Sequence, residues 1–243
     1  ISGVNGSGEN FPLSELANQI RHYNKDSTNI VAQEKVLSVR QKLVATWLNL
    51  DPGELQIAYQ GLSGKQHQLL VGTNLTNIDT KLDREILTAI SRGFNHPQSV
   101  NYLLAGMLSK PAYQLPIDID INKIPSWLQL DYLAYLLTPP VLFTQVGETD
   151  RYYQYLSKWI GYLHTEILSH PTEKFWQKVA EVVTYRLNCI SLYFNSHNLK
   201  DIYKQRAEII EFHLKSKGSQ LDYEFPERNP DRSKIRIGIL ASH

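Results

Sequence analysis

Two short stretches and one aromatic run hold residue types that could do chemistry. Residues 3–10, GVNGSGEN, place Gly3 and Gly8 at the spacing of a phosphate-cradling loop, where backbone N–H groups face the anion. Glu9 and Asn10 then stand where such a loop has Lys and Ser/Thr. No strand precedes them, and a carboxylate repels phosphate, so residues 1–11 read as a flexible terminus. Residues 118–129, DIDINKIPSWLQ, open like a calcium loop that offers oxygens at alternate positions. Lys123 occupies the sharp turn that needs glycine, and Gln129 occupies the place of a bidentate glutamate. Calcium is therefore not expected. His164 and His170 fall on different faces of a helix, and no second pair supports a metal. No Gly-x-Ser-x-Gly elbow occurs, and Cys189 lies among apolar residues as an inert thiol. The residues thus point to no catalytic group, no cofactor and no metal. Tyr152, Tyr153, Tyr155, Trp159 and Tyr162 crowd one helix. Two readings stay open for them: core packing, or a partner groove for a peptide or subunit lined by Tyr152 and the ring opposite Trp159.

The elements that would position these residues read as helices. Val36, Val39, Leu43, Trp47 and Leu50 recur at spacings of three and four, a buried stripe. A short helix covers residues 54–62, and 63–79 is ambiguous between helix end, extended piece and loop. Thr80 caps a helix that Gly93 stops, and another runs from Pro97 to Lys110. Ile117, Ile119 and Ile121 alternate with Asp118, Asp120 and Asn122, which predicts an extended segment. Residues 126–137 form a helix that ends at Pro139-Pro140. Three helices follow, expected to be the longest. Asp150 or Thr149 caps 151–169, Thr172 caps 173–194 and Asn198 caps 199–216. Their short joints predict antiparallel hairpins, with Trp47, Trp159, Phe175 and Val179 buried. The spacing of the last hairpins suggests a repeat like the tetratricopeptide unit, but its Gly and Ala positions are missing. The expected fold is all-α: an irregular helical bundle or short solenoid over residues 12–217.

Composition narrows the function classes. With 42% hydrophobic and 20% charged residues the chain is globular in kind, and its net charge of +1 gives no field for nucleic acid or an anionic membrane. Basic residues are scattered rather than striped beside exposed aromatics, which argues further against nucleic acid. The single cysteine excludes an internal disulfide framework and a cysteine-based zinc site, which fits a reducing, cytoplasmic compartment. No apolar run approaches a membrane span, and no signal peptide pattern opens the chain.

The last residues differ from all this. A polar, proline-bearing linker, 218–234, leads into Ile235-Arg-Ile237-Gly-Ile239-Leu240. This reads as a strand buried on both faces, with Ile235, Ile237 and Ile239 on one of them. No other segment is its neighbour, so 235–243 is expected to be an orphan strand that would open a Rossmann-like α/β domain. The stretch SKIRIGILASH, preceded by RAEIIEFHL and LDYEFPERNPDR, resembles the junction in bacterial proteins of the O-GlcNAc transferase family. That family includes the SPINDLY-like proteins and the adhesin N-glycosyltransferases, which join a helical N-terminal domain to a GT-B glycosyltransferase. The resemblance covers about the last 40 residues. It implies a non-catalytic helical domain that binds a protein or peptide acceptor or mediates dimerisation, inactive without the catalytic domain. His243 stands near the family's first catalytic-domain loop and takes no role. The alternative, from a different class, is a free-standing helical adaptor or scaffold, which binds its partner through its helical groove or adds the C-terminal strand to that partner's sheet.

Overall fold

The computed structural model describes residues 12–26, 28–73, 80–116, 121–140, 142–222 and 224. Among them are ten α-helices and no strand, so the described part of the chain is all-α. The segment 235–243, with Ile235, Ile237 and Ile239, lies outside the described residues, as do residues 1–11 and Ile117–Asp120.

The N-terminal half is built on α2, Ile30–Asn49, which starts where Asn29 Oδ1 accepts the N–H of Ala32 at 3.1 Å. Its stripe of Val36, Val39, Leu43 and Trp47 is buried, as the spacing requires. Helix α1, Leu13–Lys25, seats Leu16 in the same core. The first part of the ambiguous stretch is helical: α3, Leu55–Gln60, turns at Gly61 into α4, Leu62–Leu70, and residues 74–79 lie outside the described residues. Helices α5, Thr80–Ser91, and α6, Ser99–Ser109, cross closely at Gly106, where a Cβ would come within 2.6 Å of Ile90 Cδ1. Gly93 ends α5 with a φ of 75°, a left-handed turn that glycine adopts freely.

Trp47 joins these helices chemically as well as by packing. Its Nε1–H donates to Nδ1 of His67 at 3.1 Å, which fixes the neutral tautomer with the proton on Nε2. The rings of Trp47, Tyr59 and His67 meet one another at 5.5–6.0 Å. Asn101 of α6 donates to the carbonyls of Trp47 and Leu50 and ties off the end of α2. His67 is fully buried, and burial holds its pKa down at about 3. The unfolded chain protonates this imidazole near pH 6.5, the fold only near pH 3, so its contribution is complete above 6.5 and is lost as pH falls towards 3. Between pH 7 and pH 5 the loss is about 2 kcal/mol. Urea unfolding at both values should show a smaller difference for His67→Gln than for the parent. Equal differences would mean that His67 titrates within the fold.

In the C-terminal half, α7, Ser126–Leu136, and α8, Glu148–Ser169, are followed by α9, Lys174–Arg186, and α10, Lys200–Ser216. Tyr153 stacks on His197, and His164 bonds Glu208 at 2.6 Å; the members of each pair are 44 residues apart. A constant offset means that α8 and α10 run parallel. Glu181 reaches Lys217 while Tyr185 meets His213, so α9 runs antiparallel to α10 between them. Three parts of the expected layout are corrected. At 20 residues α2 is longer than α9 (13) or α10 (17). Helix α9 stops at Arg186 rather than 194, because Leu187, Cys189 and Leu192 all turn inward, which one helix face cannot do. A 3-10 turn, Ile190–Phe194, follows, with Asn188 Oδ1 accepting the N–H of Ile190. Phe175 is half-buried, since Trp176 takes the core position beside Val179 and Val183.

Ile121–Lys123 is a 3-10 turn rather than the end of an extended piece. That geometry puts Ile121 and Ile124 on one side, both buried. Helix α8 begins at Glu148, after Gly147, so Thr149 and Asp150 lie within its first turn rather than capping it. Likewise, Asn198 makes a side-chain turn to the N–H of Lys200 rather than capping α10 itself, whose N-cap is Leu199. No described helix is long and apolar enough to cross a membrane.

Candidate functional site

The aromatic run of α8 is placed mostly inside. Tyr152 is 1% exposed and Trp159 5%, so Tyr152 belongs to the core and lines no groove. Tyr152 stands seven residues before Trp159 and so shares its inward face, where Tyr113 and Phe143 pack against its ring. Rings of Tyr113, Tyr152, Tyr155, Trp159, Tyr162 and Trp176 follow one another at 5.7–6.4 Å, the range of favourable aromatic pairs. Tyr155 is half-buried and donates its hydroxyl to the Leu136 carbonyl at 2.9 Å, and burial pushes its pKa well up. Tyr153 and Tyr162 are also half-buried. The five residues form a seam that cements α8 to its neighbours.

A cleft of about 750 Å³ lies where the two halves meet. Arg40 of α2, Lys110 at the end of α6, Tyr113 and Gln114, the Pro139-Pro140 segment, and Glu148 and Arg151 of α8 line it. Glu148 is used internally. Its Oε2 accepts the N–H groups of Thr144 (2.6 Å) and Gln145 (3.0 Å), and its Oε1 accepts from Tyr113 and Gln114. Burial alone would raise the Glu148 pKa; those N–H bonds and Arg151 outweigh it and hold the carboxyl below its usual value.

Behind the cleft wall, Asp83 pairs with Lys110 at 2.6 Å and is itself 5% exposed. Arg40 is buried beside it; burial lowers the guanidinium pKa and Asp83 pushes it back up. Asp83 therefore serves two cations in a low-dielectric place. Asp83→Asn should lower unfolding free energy by about 3–5 kcal/mol, because it leaves buried positive charge uncompensated. Lys110→Gln, at a more exposed position, should cost about 1 kcal/mol. Denaturant titration measures both, and equal small losses would show that Asp83 is not the hub.

No group of acidic, histidine or cysteine side chains with metal-holding geometry occurs among the described residues. Cys189 is buried, and burial raises its pKa, which keeps it a thiol. A second surface escaped sequence reasoning altogether: Ile190, Tyr193 and Phe194 stand exposed on the turn after α9, and so do Leu142 and Val146 on the adjoining segment before α8. A helix drawn through 194 hides that turn, and only the inward pull of Leu187, Cys189 and Leu192 betrays it.

Against protein-family models, curated proteins and solved structures, the chain finds no match.

Proposed function

We propose that this chain is the non-catalytic helical part of a protein glycosyltransferase, which holds an acceptor polypeptide against a catalytic domain opened by residues 235–243, or mediates dimerisation. The observation that carries the reading is the resemblance of SKIRIGILASH and its polar linker to the family's junction. The all-α architecture is compatible with it. The open cleft between the halves, with amide and hydroxyl groups at its wall and Arg151 at its rim, offers a seat for an extended peptide. The described residues contribute binding surface rather than reacting groups.

The test has two arms. The coding frame beyond His243 should continue into two Rossmann-like halves; a stop codon there would favour the adaptor reading. In the whole protein, deleting residues 12–217 should abolish sugar transfer to a protein acceptor yet spare slow, acceptor-independent hydrolysis of the nucleotide sugar. Transfer that survives the deletion would overturn the acceptor-holding role. Calorimetry on the 243-residue chain alone should show no saturable binding of UDP- or GDP-sugars.

A further inference from the structure

We propose that Leu142, Val146, Ile190, Tyr193 and Phe194 form a two-fold contact between two copies of this chain. The five side chains are 61–105% exposed, although the residues around them pack normally. Their segments adjoin: Ser191 donates to the Pro140 carbonyl at 3.0 Å and Asn195 donates to Asp150 at 2.9 Å, which bracket Leu142 and Val146 in the chain and set residues 142–150 alongside the turn. Single exposed apolar residues are ordinary, but a contiguous group with two aromatic rings marks an interaction surface.

Three observations favour a second copy as the occupant. The five side chains carry no charge, and the acid at their edge, Asp150, is engaged by Asn195 and His197, so a two-fold axis can set each patch against its own image with little self-repulsion. Five such side chains offer roughly 500–600 Å² of apolar surface, and a stable interface takes about 800 Å² per partner, so the polar rim of Ser191, Asn195 and His197 supplies a fitting remainder. The turn is also already ordered. Leu192 is fully buried beneath it, and Tyr193 is tied to Tyr203 through their hydroxyls at 3.2 Å, so little freedom is lost on association.

The proposal deepens the dimerisation arm of the function above and does not need the catalytic domain. Light scattering on the full chain from about 1 to about 100 µM should show the mass double. Tyr193→Ser with Phe194→Ser should move the midpoint up at least about tenfold. Val146→Glu, at a fully exposed position, should do the same by placing like charges across the axis. All three substitutions lie outside the core, and an unchanged far-UV spectrum checks the fold. A constant monomer mass overturns the proposal, as does a dimer that persists in both variants. A monomer with slow hydrogen exchange at 190–194 also overturns it, because the chain's own residues then cover the patch. Neither failure touches the acceptor-holding arm, which the deletion experiment tests separately.

Discussion

Trp47→Ala is expected to bring the protein close to unfolding at room temperature. The indole is wholly buried where α2 meets α3, α4 and α6, and truncating such a side chain costs about 3–5 kcal/mol. The substitution also removes the donor to His67 Nδ1, and an abandoned buried acceptor adds about 1–3 kcal/mol. Against a typical total of about 5–15 kcal/mol, that is a large share. Trp47→Phe separates the two contributions, since it keeps most of the ring and loses the N–H. Guanidinium titration followed by circular dichroism measures both. A loss below about 1 kcal/mol for Trp47→Ala would place the indole in solvent and refute the described core.

Gly64→Ala should be comparably severe for a different reason. At Gly61 the chain folds from α3 into α4 so tightly that a Cβ on Gly64 would fall inside the carbonyl group of Tyr59. The carbonyl is backbone and the Cβ position is fixed by backbone, so no rotamer change relieves the overlap and the two short helices must part. Parting them strips the Tyr59 hydroxyl from Asp131 and breaks its ring contacts with Trp47 and His67. A loss of about 3 kcal/mol or more is expected. Two other glycines calibrate this value. Gly106→Ala presses only on the mobile end of Ile90 and should cost about 1 kcal/mol. Gly161→Ala meets nothing nearer than Gln205 at 3.9 Å and should stabilise α8 by about 0.5–1 kcal/mol. Thermal midpoints should fall in that order; a tolerated Gly64→Ala would mean that the α3–α4 turn is more open than described.

What could be read in advance follows the range over which each feature is encoded. The α2 stripe and the left-handed stop at Gly93 depend on residues within a few positions, and both stand in the structure as expected. The break after Arg186 does not. Residues 187–194 contain no Gly or Pro, and the helix ends because three side chains find burial against α8 and α10. The same holds for the start of α8. Thr149 and Asp150 are both good caps by type, yet Glu148 reaches back to the N–H groups of Thr144 and Gln145. The cleft is further still from local reading, since Arg40, Lys110 and Arg151 meet only when both halves are assembled.

The parallel register of α8 and α10 has a consequence for how the chain is made. Two parallel neighbours cannot be joined by a tight turn, so α8 meets α10 only after the intervening residues have been synthesised and α9 has folded back. The pairs His164–Glu208 and Tyr153–His197 each wait for 44 residues to leave the ribosome. At translation speeds of about 5–20 residues per second, that is a delay of a few seconds. During it, the apolar face of α8 that α10 will cover stays open. The C-terminal half is therefore the part of the nascent chain most in need of a chaperone, and a ribosome stalled just after α9 should expose the surface that one would hold.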